Sequence, residues 1–139
     1  MAHIDRGHAT GPSDQIPSRR CAATGRAYTH AVEIGAGMRV LTFSGQVGIR
    51  PDGTLAEGIE AQLRQTWTNI AAILGAAGMR LQDIVKITTI VVRAEDLKVH
   101  PRIRSEVLGE HRAAATGFCV TALATPEMLC EIEVVAAAR

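Results

Sequence analysis

The sequence predicts an α+β fold, on three observations. Residues 56–79 carry one helical stripe, in which Ile59, Leu63, Trp67, Ile70, Leu74 and Ala77 recur at intervals of three and four. Residues 84–92 are β-branched almost throughout. The last third holds two alternating runs, 114–121 and 128–136. At 139 residues and 47% hydrophobic content, the chain suits one domain with a substantial core.

Residues 1–20 (MAHIDRGHATGPSDQIPSRR) have no apolar period and are rich in Gly, Pro, Ser and charge, so they read as a flexible arm ahead of a domain spanning 21–139. His3 and His8 lie in that arm without a Cys or an acidic cluster beside them, and no metal site is expected there. Residues 31–34 read as a short strand. The turn Gly35-Ala36-Gly37 follows and returns into a second strand over 38–47, which predicts a hairpin. In that second strand Leu41 and Phe43 alternate with Thr42 and Ser44, and Gly45 suggests a bulge or a close backbone approach. Pro51-Asp52-Gly53 reads as a turn.

The long helix stops near Gly78, and Trp67 falls in register with its core positions. The next strand is apolar on both faces, with Val85, Ile87, Thr89 and Val91 opposite Ile84, Lys86, Thr88, Ile90 and Val92. Both helices are expected on one face, so a second subunit is the simplest cover for the other. Pro101 suits a first turn, which predicts a short turn near residues 95–98 and a helix restarting near Pro101. His100 reads as a cap or an exposed imidazole.

In the penultimate strand Ala115, Gly117 and Cys119 make one face of small side chains, with room for a ligand or a neighbouring backbone. In the last strand Met128, Cys130, Ile132, Val134 and Ala136 alternate with Leu129, Glu131, Glu133 and Val135. A carboxylate within a sheet needs hydrogen bonds, a cation or a shifted pKa, so Glu131 and Glu133 mark the face for chemistry or subunit contact unless both simply meet solvent.

Composition excludes several classes. The balance of 15 basic and 14 acidic residues leaves no basic stripe for nucleic acid, and 3% aromatics supply no stacking platform. No run approaches a membrane span and no apolar signal core stands at the N-terminus. Cys21, Cys119 and Cys130 are odd in number, which argues against a disulfide framework and for a reducing cytoplasm.

The order strand, strand, helix, strand, helix, strand, strand carries Tyr28-Thr29-His30-Ala31-Val32, Phe43-Ser44-Gly45-Gln46-Val47, Gln62, Asn69, Ala77-Gly78 and Glu131-Ile132-Glu133. Over residues 27–137 this combination resembles the reactive-intermediate deaminase family, also called RidA or YjgF-like. The resemblance implies a chorismate-mutase-like domain with a mixed sheet of about five to six strands, two helices packed on one face, and a homotrimer with small-molecule clefts between subunits. It also implies hydrolysis of enamines or imines to a keto acid and ammonia with no metal or organic cofactor.

In that family an Arg near the start of the penultimate strand grips the substrate carboxylate, and a Glu of the last strand positions a water. Tyr28 matches the family's cleft tyrosine and Glu131 its water-positioning acid, whereas Ala115 stands where the Arg would. Arg112 lies three residues earlier, about 10 Å away in an extended chain and on the opposite face. Losing such a contact costs about 2–5 kcal/mol of binding to an anionic substrate. The expected site therefore has Glu131 as general base or water orienter, Tyr28 and Ser44 as hydrogen-bonding groups, and a small-walled surface of Ala115, Gly117 and Cys119. It suits an imine or enamine lacking the usual α-carboxylate. The alternative is a non-catalytic trimer that binds a metabolite or protein in the same clefts. A ribonuclease reading, attached to some family members, is opposed by the neutral charge.

Overall fold

The computed structural model describes residues 27–139 and the strand Ser13–Ile16. Its elements are β1 (Ser13–Ile16), β2 (Ala31–Ile34), β3 (Arg39–Thr42), α1 (Ile59–Ala76), β4 (Ile84–Val91), α2 (His100–Leu108), β5 (Ala114–Cys119) and β6 (Cys130–Ala138). Short 3-10 turns at Leu81–Asp83 and Ala94–Lys98 precede β4 and α2, and Pro101 sits in the first turn of α2 as its chemistry requires. The main sheet runs β3-β6-β4-β5, antiparallel except for the β4–β5 pair. Parallel pairing of β4 with β5 needs a crossover, and α2 supplies it.

Three expectations change. β2 does not pair with β3: it pairs antiparallel with β1, and β3 joins β6 instead. A tight turn fixes that the chain reverses, not which strand fills the vacant edge. The main sheet accordingly has four strands rather than five to six, with the segment before β2 attached to β5 by a single parallel bridge, Thr29 to Ala114. Ser13–Ile16, read from sequence as part of an arm, forms a strand. The rest of that arm, His3, His8 and Cys21 lie outside the described residues.

The core lies between one sheet face and the two helices. Leu63, Trp67, Ile70 and Leu74 of α1 meet Ile103 and Leu108 of α2 over Ile87, Val91, Cys130, Ile132, Val134 and Ala136 of the sheet. These are the odd positions of β4 and the even positions of β6, as alternation predicts. α1 ends in a glycine-dependent stop: Gly78 has φ +70°, the Met79 N–H donates to the Leu74 carbonyl at 2.8 Å, and Arg39 donates to the exposed Ala77 carbonyl at 3.0 Å. On the outer side Glu60, Arg64, Arg102 and Glu106 form a closed ring of ion pairs between α1 and α2, with N–O distances of 2.8–3.2 Å. These groups are exposed, so the ring sets helix register more than it adds stability.

The other sheet face carries Lys86, Thr88 and Ile90 of β4, Thr116 and Phe118 of β5, and Glu131, Glu133 and Val135 of β6. No helix among the described residues covers it. Lys86 donates from Nζ to Thr116 Oγ1 at 2.7 Å across the β4–β5 pair.

Candidate functional site

Glu131 stands on the open sheet face, opposite Ile90 of β4, because its neighbours Cys130 and Ile132 point into the core. Its carboxylate lies over Gly45: a Cβ built there would fall 2.8 Å from Glu131 Cγ and overlap the carboxyl group itself. Only glycine permits this approach. The backbone explains the meeting. Phe43 N–H donates to the Val134 carbonyl at 3.0 Å, and Gln46 and Ile132 exchange two hydrogen bonds of 2.8 and 2.9 Å. Three steps on one strand are therefore matched by two on the other, so the extra residue bulges at Ser44-Gly45. The bulge and the close approach expected at Gly45 both occur, and they place the exposed Ser44 beside the Glu131 carboxylate's strand. Among the described residues no side chain hydrogen-bonds or ion-pairs with that carboxylate.

The remaining sequence-predicted residues form a second patch. Ala115, Gly117 and Cys119 pair with Ile87, Thr89 and Val91, so they face the helix side of the sheet, opposite to Glu131. The bridge from Thr29 to Ala114, with Thr29 N–H donating to the Ala113 carbonyl at 3.1 Å, brings Tyr28 and His30 alongside Ala115. Tyr28 is 37% exposed and meets the His30 ring edge-on, with centroids 6.5 Å apart and planes at 78°. One chain thus groups Ser44, Gly45 and Glu131 in one place and Tyr28, His30, Ala115 and Gly117 in another. It does not bring Glu131 and Ala115 together, because a strand's alternate side chains leave by opposite faces.

On the small face of β5 Gly117 is exposed, and a Cβ there would meet Leu97 Cδ2 at 3.1 Å, so the 3-10 turn Ala94–Lys98 passes beside this glycine. Among the described residues Cys119, at the exposed end of β5, has one long contact, to the Val120 carbonyl at 3.7 Å. Cys130 is buried, and burial pushes its thiol up to about 12, so it stays protonated and acts as a core residue.

His30, which the sequence shows only as part of the Tyr28–Val32 run, is brought to the level of Ala115 by a pairing that periodicity does not reveal. His100, expected as a cap or an exposed imidazole, is instead buried at 3% exposure between α1, α2 and β4. Trp67 Nε1–H can only donate, and it donates to His100 Nε2 at 3.3 Å. Nε2 must then be unprotonated, and Nδ1–H donates to Thr89 Oγ1 at 3.0 Å. Burial, with Arg104 nearby, lowers the His100 pKa to about 3.

This has a measurable effect on stability. The unfolded chain takes up the His100 proton near pH 6.5 and the folded chain only near pH 3, so between those values the unfolded state binds more protons. Stability is at its full value above pH 6.5 and falls as pH drops, by at most about 1.4 kcal/mol per pH unit from this group. Urea melts at pH 7 and pH 5 are expected to show that loss in the native chain and a smaller one in His100→Gln. Equal slopes in the two proteins would contradict the assignment.

Among the described residues no cluster of three His, Cys, Asp or Glu side chains is arranged to hold a metal, and no helix is long and apolar enough to cross a membrane.

Residues 18–138 match the family model described as Endoribonuclease L-PSP. The chain is similar to the 2-iminobutanoate/2-iminopropanoate deaminase of Salmonella typhimurium, at 35% identity over 115 residues, which is 81% of this chain and 88% of that protein. Among solved structures it is similar to a Rid-family protein of unknown function from Yersinia pestis, with 30% identity, a TM-score of 0.83, and coverage of 92% of this chain and 100% of that one. It is also similar to RidA from an Antarctic Psychrobacter, with 32% identity, a TM-score of 0.69, and coverage of 88% and 93%.

Proposed function

The chain belongs to the Endoribonuclease L-PSP family, the Rid family of the sequence resemblance, and on that premise we propose that it hydrolyses a small imine or enamine between two copies of itself. The observation that carries this reading is the Glu131 carboxylate held over Gly45 at the Ser44 bulge, half-buried and without a side-chain partner among the described residues. A carboxylate so placed can accept a proton from a water attacking an imine carbon. Glu131 takes one proton from water as the water oxygen bonds to the imine carbon and passes it to the nitrogen, giving the carbinolamine; it then takes the carbinolamine hydroxyl proton and passes it to the nitrogen as the C–N bond breaks, so that a carbonyl compound and ammonia leave. Ser44 and Tyr28 supply hydrogen bonds.

The two separated patches support a site shared between neighbours. The patch with Glu131 and the patch with Tyr28, Ala115 and Gly117 leave one chain by different faces. A second copy laid on the open sheet face would join one patch from each chain, and a trimer closes such contacts by symmetry. That face carries Ile90, Val135 and the 42% exposed Phe118 among polar groups, and a neighbour laid on it would cover these apolar side chains.

Ala115 favours a substrate without an α-carboxylate, and it equally favours the second reading, a trimer that binds a metabolite or protein without turning it over. Ammonia release from a panel of small imines, with and without a carboxylate, separates the two. The expected result is turnover by the native chain of uncharged imines above their spontaneous hydrolysis. Ala115→Arg is expected to raise kcat/KM on 2-iminopropionate by about 10- to 100-fold, the value of one charge-assisted contact of about 1.5–3 kcal/mol. Background rates for both proteins on every substrate would remove the enzyme reading.

A further inference from the structure

Gln62 of α1 is 2% exposed, and both ends of its side-chain amide are spent on the segment leading into Glu131. Nε2 donates to the Glu127 carbonyl at 2.9 Å and Oε1 accepts from the Leu129 N–H at 2.8 Å. The amide orientation is settled by its partners, since a carbonyl needs a donor and an N–H an acceptor. Residues 122–128 contain no regular element, and at Leu129 the peptide is held both by Gln62 and by the first backbone contact with the chain after β4. Leu129 is gripped from its other side too, its carbonyl accepting from the Val92 N–H at 3.2 Å.

The opposing segment meets the same point of the helix. A Cβ on Gly48 would lie 2.6 Å from Gln62 Cα and 2.8 Å from its carbonyl oxygen, so the backbone leaving Gly45 presses directly on α1 at Gln62. Two turns further along, Asn69 Nδ2 donates to the carbonyls of Val47 at 3.1 Å and Ile49 at 2.8 Å. One helix thus holds the chain after Gly45 with Asn69 and the chain before Glu131 with Gln62. Between them the two strands are tied by the Gln46–Ile132 pair.

We propose that Gln62 is a positioning residue for Glu131: it sets how far the carboxylate reaches over Gly45, and Asn69 holds the opposite wall. The inference rests on Glu131 acting on a water, as argued above. Chemistry at a carboxylate is more sensitive to such placement than binding is, because a displacement of about 1 Å of a reacting group costs on the order of 100-fold.

The test uses the full chain and three variants, Gln62→Met, which has similar length and no amide, Gln62→Glu, which keeps the acceptor for Leu129 N–H, and Asn69→Leu. In Gln62→Met, kcat for ammonia release is expected to fall about 10- to 100-fold with KM within about twofold, and Gln62→Glu to recover part of it. Independently of turnover, the carboxyl carbon resonance of Glu131, assigned through Glu131→Gln, is expected to shift or broaden in Gln62→Met while that of Glu133 stays in place. If the native chain releases no ammonia, the hydrolysis reading falls and the resonance decides the positioning claim alone. An unmoved Glu131 resonance in a folded Gln62→Met, or a rise in KM that matches the whole loss, overturns it. Should Gln62→Met fail to fold, the same resonance in Gln62→Glu and Asn69→Leu decides.

Discussion

Glu131→Gln is expected to lower ammonia release from the best imine substrate at least about 100-fold while leaving the fold unchanged. Glutamine keeps the shape of the side chain over Gly45 but cannot take a proton from water at neutral pH. The effect belongs to kcat, since the contact that is lost forms as the water is attacked. The substitution is clean for a structural reason: among the described residues the carboxylate has no side-chain donor or cation, so no buried group is orphaned when it is replaced. Steady-state ammonia release, with circular dichroism and a thermal midpoint as controls, measures it. Retention of full turnover by Glu131→Gln would place the chemistry elsewhere.

The largest effect on stability is expected from Trp67→Ala. Trp67 is 2% exposed and packs among Leu63, Ile70 and Ile103 where α1 meets α2. Removing a buried large aromatic costs about 3–5 kcal/mol through lost transfer and the cavity left behind. Here the indole N–H is also the donor that satisfies His100 Nε2, so the deletion leaves a buried acceptor unpaired as well. Against a typical total of about 5–15 kcal/mol this is a large share, and the thermal midpoint is expected to drop by about 10–20 °C. Trp67→Phe, which keeps a ring and loses the N–H, should fall between the native chain and Trp67→Ala in urea midpoint. If Trp67→Ala melted within about 1 kcal/mol of the native chain, the hydrogen-bonded core between the two helices would not be what holds α1 to α2.

Much of this molecule could be read before its fold was in hand, and the residues say why. The stripe from Ile59 to Leu74 is a local regularity, and α1 follows it to within a few residues. The restart of α2 at Pro101 and the stop at Gly78 are single-residue backbone restrictions that act whatever surrounds them. The two faces of β4 and β6 follow from a period of two. The burial of His100 is not legible locally, because it depends on Trp67, 33 residues away, and no local pattern announces an imidazole whose two nitrogens each find a partner in the core. That Leu97 lies beside Gly117 is likewise not legible, because it arrives from a separate turn.

The candidate site divides in the same way. Glu131 stood out in the sequence as an acid inside a strand, and Gly45 as a glycine where a strand needs none; each is a conflict with local preference that one residue can display. That the two conflicts resolve each other, carboxylate over glycine, is decided by the one-residue bulge between β3 and β6. The sorting of Tyr28, His30 and Ala115 into a patch on the opposite face from Glu131 is decided elsewhere, by the parallel register of β5 with β4 and the bridge from Thr29 to Ala114. By itself the sequence determined which segments are helix and strand and which residues break the pattern, because those follow from short-range sterics and burial period. Only the tertiary structure decided which strands pair, that the Glu131 carboxylate lies over Gly45, and that Gln62 and Asn69 bond the segments on either side of that meeting, because hydrogen-bond partners far apart in the chain are chosen by the packing of the whole domain.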